Sequence, residues 1–297
     1  MGQAQNYFAN KVSSGMKIGR FGVRLVGVLA LSLAIAGCSE KQSVERGNVN
    51  YENFTAKQIF ERAEYDLAQK KPKLAARSFA EVEQLYPYSA LAKRAVIMQA
   101  FAHHQDKAYE ESRAAAQRYI DFYPADEDAA YAQYLVALSY YDQIDEIGRD
   151  QGLTLNALQA LRQVIEVYPN SRYANSASLK FDLAFDHLAS KEMEVGRYYL
   201  RRGNYAAAIN RFRVVVEDFQ TTTHTAEALH RLVEAYLSLG LTDEAQTAGA
   251  ILGYNFRSTD WYRDSYKMLT GRGLKLEATG DNWLKKIYRQ MIQGRWL

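Results

Sequence analysis

The chain has 297 residues, with 37 Lys and Arg against 34 Asp and Glu, four prolines and one cysteine, Cys38. A lone cysteine excludes an internal disulfide framework. The near balance of charge leaves no broad electrostatic footprint for nucleic acid.

Residues 1–37 hold Lys11, Lys17, Arg20 and Arg24 and no acidic residue, and Leu25 to Ala36 is an apolar run of 12. A spanning helix needs about 20 such residues. The pattern therefore predicts a secretion signal that is removed. Its ending, Ile35-Ala36-Gly37-Cys38, resembles the lipobox of bacterial lipoproteins. That resemblance implies lipidation of Cys38: a diacylglycerol on the sulfur, cleavage before the residue, and acylation of the new amino end. The alternative is an ordinary cleaved signal followed by an unmodified cysteine. Met16 also begins a signal of this kind, which leaves the start at Met1 or Met16 open. Cleavage leaves residues 38–297, with 33 basic against 34 acidic side chains. Three acyl chains would hold this nearly neutral body on a membrane, since two signals already anchor stably. Ser39 in the place after the cysteine goes, in such lipoproteins of Gram-negative bacteria, with export to the outer membrane. Residues 38–54 are polar and read as a lipidated, flexible tether.

From Thr55 the pattern is helical. Pro87, Pro124 and Pro169 each follow a tyrosine, in QLYPYS, DFYPAD and EVYPNS. Apolar residues three and four apart precede each one, as in Ala75, Phe79, Val82 and Tyr86, or Ala157, Leu161, Val164 and Tyr168. Small residues recur where helices must cross closely: Ala63, Ala75, Ala100, Ala137 and Ala208. These are the marks of tetratricopeptide (TPR) repeats, helical hairpins with a basic period of 34 residues. The expected fold is all-α, a TPR-type helical-hairpin solenoid of about five repeats. Repeats one to three occupy 55–169 and repeats four and five 170–256, with a helical cap or tail over 257–297. The 45 residues from Pro124 to Pro169 require an insertion, expected at 144–154. The 51 residues from Pro169 to Gln220, which replaces the next proline, leave room for a long helix over about 172–200. Gly203 and Gly240 fit the turns inside the last two hairpins, and Tyr205, Ala208 and Phe212 pack the second helix of repeat four. In NWLKKIYRQMIQGRWL, Trp283, Leu284, Ile287 and Met291 share a face, which fits a capping helix or a membrane or partner contact.

The chain carries no mark of catalysis. Its histidines, His103, His104, His187, His224 and His230, form no HExxH pair, and no GxxxxGK or GxGxxG loop or nucleophile elbow occurs. No catalytic residue, cofactor or metal is expected. The first helices of the early repeats would instead line a concave surface suited to extended peptides. Aligning the crossing residues turns Phe60, Phe101, His104, Tyr134, Leu138 and Tyr141 toward it, either to stack on a bound peptide or to pack against the next repeat.

The lipobox LAIAGCS, the YPYS and YPNSRYA turns, RYIDFYP, and VGRYYLRRGNYAAAINRFRVVVEDF followed by EALHRLVEAYLSLGL together resemble the BamD (ComL) family, over about residues 28–255. That family forms part of the β-barrel assembly (BAM) machine of the outer membrane. The resemblance implies a non-enzymatic lipoprotein on the periplasmic side of the outer membrane. It also implies binding to the barrel-forming subunit through its POTRA domains, to accessory lipoproteins of the machine, and to unfolded β-barrel substrates. Arg211, in AINRF, becomes a candidate contact for the barrel subunit, or else a solvated helix arginine. A TPR lipoprotein that coordinates cell-wall synthesis or division is the alternative. The sequence departs from the family at DFQTTT, where Tyr-Pro is usual, and in its longer tail.

Overall fold

The computed structural model describes residues 51–146, 150–279 and 283–292, without the side chains of 288 and 290–292. The signal, Cys38 and the tether as far as residue 50 lie outside the described residues. Five consecutive hairpins form: α1 (Ala56–Ala68) with α2 (Pro72–Leu85), α3 (Ala90–Gln105) with α4 (Tyr109–Phe122), and α5 (Ala129–Tyr141) with α6 (Gly152–Val167). Then come α7 (Ala174–Arg201) with α8 (Tyr205–Asp218), and α9 (Thr225–Ser238) with α10 (Thr242–Asn255). α11 (Asp260–Thr270) and α12 (Trp283–Ile292) follow. The all-helical hairpin stack expected from the sequence is what the chain adopts. The third repeat departs slightly, since α6 begins at Gly152, inside the expected insertion.

Local signals start and stop these helices. Thr55 accepts from the Gln58 backbone N–H at 3.3 Å, and the Gln58 side chain accepts from the Thr55 N–H at 2.9 Å. This capping box satisfies two N–H groups at the start of α1. Pro72 opens α2, where its missing N–H has no partner to lose. Four of the five hairpins turn in one way. In the first, the N–H groups of Lys70 and Lys71 reach back to the carbonyls of Leu67 and Asp66. The same pair of bonds recurs at Lys107, Gly203 and Gly240. Such a closure needs a left-handed residue, and φ is 56°, 60°, 74° and 75° at these positions. Glycine takes that conformation freely; lysine does so under strain. Lys70→Gly and Lys107→Gly are each expected to raise stability by about 0.5–1 kcal/mol in urea denaturation.

The turn between hairpins also repeats. The caps Tyr86, Tyr123 and Tyr168 have φ between −124° and −133° and ψ near 53°. The following proline forbids helical ψ there and ends each helix. Phe219 and Phe256 adopt nearly the same dihedrals without a proline. Threonine replaces its effect: the Thr222 and Thr259 hydroxyls donate to the Phe219 and Phe256 carbonyls at 2.8 and 2.7 Å. The departure at DFQTTT therefore leaves the turn intact.

Ala63, Ala75, Ala100, Ala137 and Ala208 are all buried, as close helix crossing requires. Apolar side chains gather into three successive clusters: repeat one, repeats two and three, and repeats four and five with α11 and α12. Some buried polar groups bond one another across helices. Ser139 donates to Ser112, which donates to the Ala100 carbonyl, tying α5, α4 and α3 together. Each odd-numbered helix from α1 to α11 touches the next odd-numbered one, while the even-numbered helices α2 to α10 are not joined in that way. The row whose members touch is the inner side of a curved stack. α7 stands out in it, with 28 residues and a length of about 42 Å.

Candidate functional site

The inner row carries every residue singled out for the groove, and most of them sit at seams between its helices. Phe60 of α1 is only 4% exposed; its ring lies edge-on to Phe79 at 5.1 Å, and the Arg94 guanidinium of α3 covers it at 5.3 Å. Tyr134 of α5 is 9% exposed; its hydroxyl bonds Ser176 of α7 at 2.7 Å, and its ring stacks on Tyr173 at 5.3 Å. These two rings belong to the core between repeats and offer little surface to a ligand. His104 of α3 points its Nε2 at Asp142, 3.1 Å away just past α5, and meets Tyr109 edge-on. Tyr141, the last residue of α5, lies under the Lys180 ammonium of α7 at 5.0 Å. Phe101 and Leu138 are half-buried against the core of repeats two and three. Phe101, His104, Leu138 and Tyr141 thus keep partial exposure across α3 and α5, and Phe60 and Tyr134 do not.

A polar hub braces the same region from the turn after α4. Asp126 accepts from the Tyr119 hydroxyl at 2.6 Å and the Asp128 N–H at 3.1 Å, and it pairs with the Lys93 ammonium of α3. The bonds from Lys93 and Tyr119 favour its charged form and hold its pKa down at about 2. Burial, with Asp126 adding to it, pushes the Tyr119 phenol well above its usual range. Both groups therefore keep one protonation state near neutrality, as a structural brace should.

The Arg211 side chain of α8 is 45% exposed and bonds Glu192 of α7 at 3.1 Å, which ties the two helices of the fourth hairpin together. Its charge is shared between that pair and solvent. Past it, the C-terminal elements cap the stack. Leu284 and Ile287 of α12 are buried in the core of repeats four and five. The Trp283 indole N–H donates to the Tyr236 hydroxyl at 3.1 Å, and the Arg213 guanidinium of α8 lies over its ring at 4.9 Å. The side chain of Met291 lies outside the described residues. α11 is held by a buried contact: His230 Nδ1 of α9 meets the Ser265 hydroxyl at 2.8 Å, beside the Trp261 ring. Burial lowers the His230 pKa, so the ring stays neutral there.

Sequence reasoning missed the Asp126 hub, the His230–Ser265 contact and the Arg213–Trp283 clasp. Only the first left a trace, as DFYPADED places an acid three residues after the Tyr-Pro tyrosine, where the other turns carry Ser89 and Ser171.

Comparison with known proteins bears on what such a stack does. The profile of the YfiO family, described as outer membrane lipoprotein, matches residues 52–251. The outer membrane protein assembly factor BamD of Caulobacter vibrioides is 43% identical over 257 residues, 86% of this chain and 83% of that one. The BamD of Rickettsia prowazekii is 39% identical over 245 residues, 82% of this chain and 96% of its own. That of Neisseria meningitidis serogroup A is 26% identical, covering 78% of this chain and 91% of its own.

Proposed function

This chain belongs to the YfiO family of outer membrane lipoproteins, to which the BamD assembly factors are its relatives, and on that footing we propose how it works in the BAM complex. It is a non-enzymatic outer membrane lipoprotein that supports the assembly of β-barrel proteins into that membrane. Cys38 carries the lipid, and the helical body, from residue 55 on, hangs on the periplasmic side. Repeats four and five meet the barrel-forming subunit through its POTRA domains, with Arg211 as one contact. Accessory lipoproteins of the machine attach elsewhere on the stack. Unfolded barrel clients dock along the inner row in repeats two and three.

The observation that carries the client site is the run of partly exposed Phe101, His104, Leu138 and Tyr141 on touching helices α3 and α5. Extended segments bind such surfaces by seating alternate side chains. A photo-crosslinker at Phe101 or Tyr141 is expected to label a peptide carrying the C-terminal strand of a barrel protein. The same group at Arg77 or Glu166, exposed on α2 and α6, is expected to label little. Equal labelling at all four positions would sink the assignment. For the other end, the barrel subunit is expected to co-purify from gently solubilised envelopes. Arg211→Ala should reduce that recovery while changing stability by less than about 1 kcal/mol, since exposed ion pairs contribute little. Full recovery with the variant removes Arg211 from the interface.

A further inference from the structure

We propose that the turn from α1 into α2 is a basic docking face that rests on anionic lipid headgroups and so sets how the body lies on the membrane. From Ala68 to Ala80 the chain carries Lys70, Lys71, Lys73 and Arg77 and no acid. All four are exposed, and none forms an ion pair among the described residues. The acid just before them, Asp66, is held by Arg62 at 3.2 Å. Folding does not call for these charges and twice works against them. Lys70 has a φ of 56°, where the equivalent turns of repeats four and five use Gly203 and Gly240. Lys71 is the N-cap of α2 and Lys73 lies in its first turn, where the partial positive charge of the helix end repels cations. α4 and α10 begin instead with Glu110 and Glu111, and with Asp243 and Glu244. Strain of this kind persists where it serves a function. Lys107 repeats the strained turn at the same end of repeat two, although Asp106 beside it offsets its charge.

Charge requires an anionic occupant, and the kind of cation points to a lipid surface. Three of the four are lysines, compact point charges on flexible stems, which suit diffuse attraction to many headgroups. A single carboxylate or phosphate is more often gripped by an arginine fork. A membrane is also within reach, which rests on the lipid at Cys38 proposed above. The 13 residues from Cys38 to Tyr51 span at most about 45 Å. α1, with 13 residues, is only about 20 Å long, so the far end of the first hairpin can return to the same membrane. A basic patch beside an acyl anchor is drawn to anionic headgroups. Three acyl chains already secure retention, so the patch contributes orientation rather than anchorage.

The test places the full-length mature lipoprotein in vesicles that carry a fluorescent acceptor on their headgroups. Gln69→Cys, exposed beside the lysines, takes the donor dye. The vesicles are phosphatidylcholine alone or with about one-third phosphatidylglycerol. Energy transfer is expected to be at least twofold higher in the anionic vesicles. It should return to the neutral level in 1 M salt, where the screening length is about 3 Å. Lys71→Gln with Lys73→Gln is expected to abolish the increment without lowering the melting temperature. Lys70→Gly is expected to reduce it while melting higher, a loss of docking with a gain of stability. Lys267→Gln with Lys275→Gln, the same charge removed from exposed positions in the C-terminal elements, should leave it intact. A glutamate–serine octapeptide is expected not to bind the protein in neutral vesicles. Equal transfer in both vesicles, an increment that survives the Lys71 and Lys73 changes, or equal loss in the C-terminal pair would each overturn the proposal. Octapeptide binding that those two changes remove would assign the face to an acidic protein segment instead. Failure to float with phosphatidylcholine vesicles would strike the lipid anchor itself, and the proposal with it.

Discussion

Phe212→Ala is expected to destabilise repeats four and five by about 3–5 kcal/mol. The ring is fully buried in α8, inside the cluster that joins α7 to α12. It lies against Gly196 of α7, so close that a Cβ added there would stand 2.4 Å from a ring carbon. The glycine and the ring are one packing unit, and the reverse change should also cost. Gly196→Ala is expected to destabilise by about 1–3 kcal/mol through overpacking. Combining Gly196→Ala with Phe212→Leu is expected to cost less than the sum of the two, because the smaller side chain makes room for the methyl group. Urea denaturation followed by tryptophan fluorescence reads this directly, since Trp261 and Trp283 both belong to this half. A loss below 1 kcal/mol for Phe212→Ala, or strict additivity in the pair, would contradict the packing described.

Asp126→Ala is the second large effect, expected at about 2–3 kcal/mol. It leaves the Tyr119 hydroxyl without its acceptor and Lys93 without its partner. The pH dependence follows from the lowered carboxyl. Its folded pKa of about 2 lies below the ordinary 3.8, so the folded state prefers the charged form. That preference stabilises the folded state, fully present above about pH 4 and lost as pH falls through 2. The stability gap between the wild-type protein and Asp126→Ala is therefore expected to narrow as pH is lowered from 5 toward 2. A gap that stays constant in acid would assign the loss to packing instead.

Much of the architecture is legible in the amino-acid order because the physics is local. Tyr-Pro ends a helix wherever it stands, and Gly203 and Gly240 mark hairpin turns by the sign of φ they allow. The same reasoning passes over Lys70 and Lys107, which hold the same conformation with a side chain that gives no notice of it. The candidate groove is harder to read. Helical periodicity tells which face a residue occupies but not what lies opposite. Phe101 and Phe60 carry the same ring on first helices of successive repeats, yet Arg94 and Phe79 enclose one and leave the other half-open. Tyr134 is claimed by Ser176 and Tyr173, which lie 42 and 39 residues away, beyond any pattern within a repeat. The role of Trp283 depends on Arg213, which sits 70 residues upstream and faces it only once the stack has formed.

α7 packs with α5 and α6 on one side and α8 and α9 on the other, without a break in its 28 residues. The other first helices bridge their neighbours in the same way, but over 13 to 16 residues against 28. A given tilt of α7 against the third repeat therefore swings its far end, and the hairpin turn at Gly203, through about twice the distance, as a longer lever arm does.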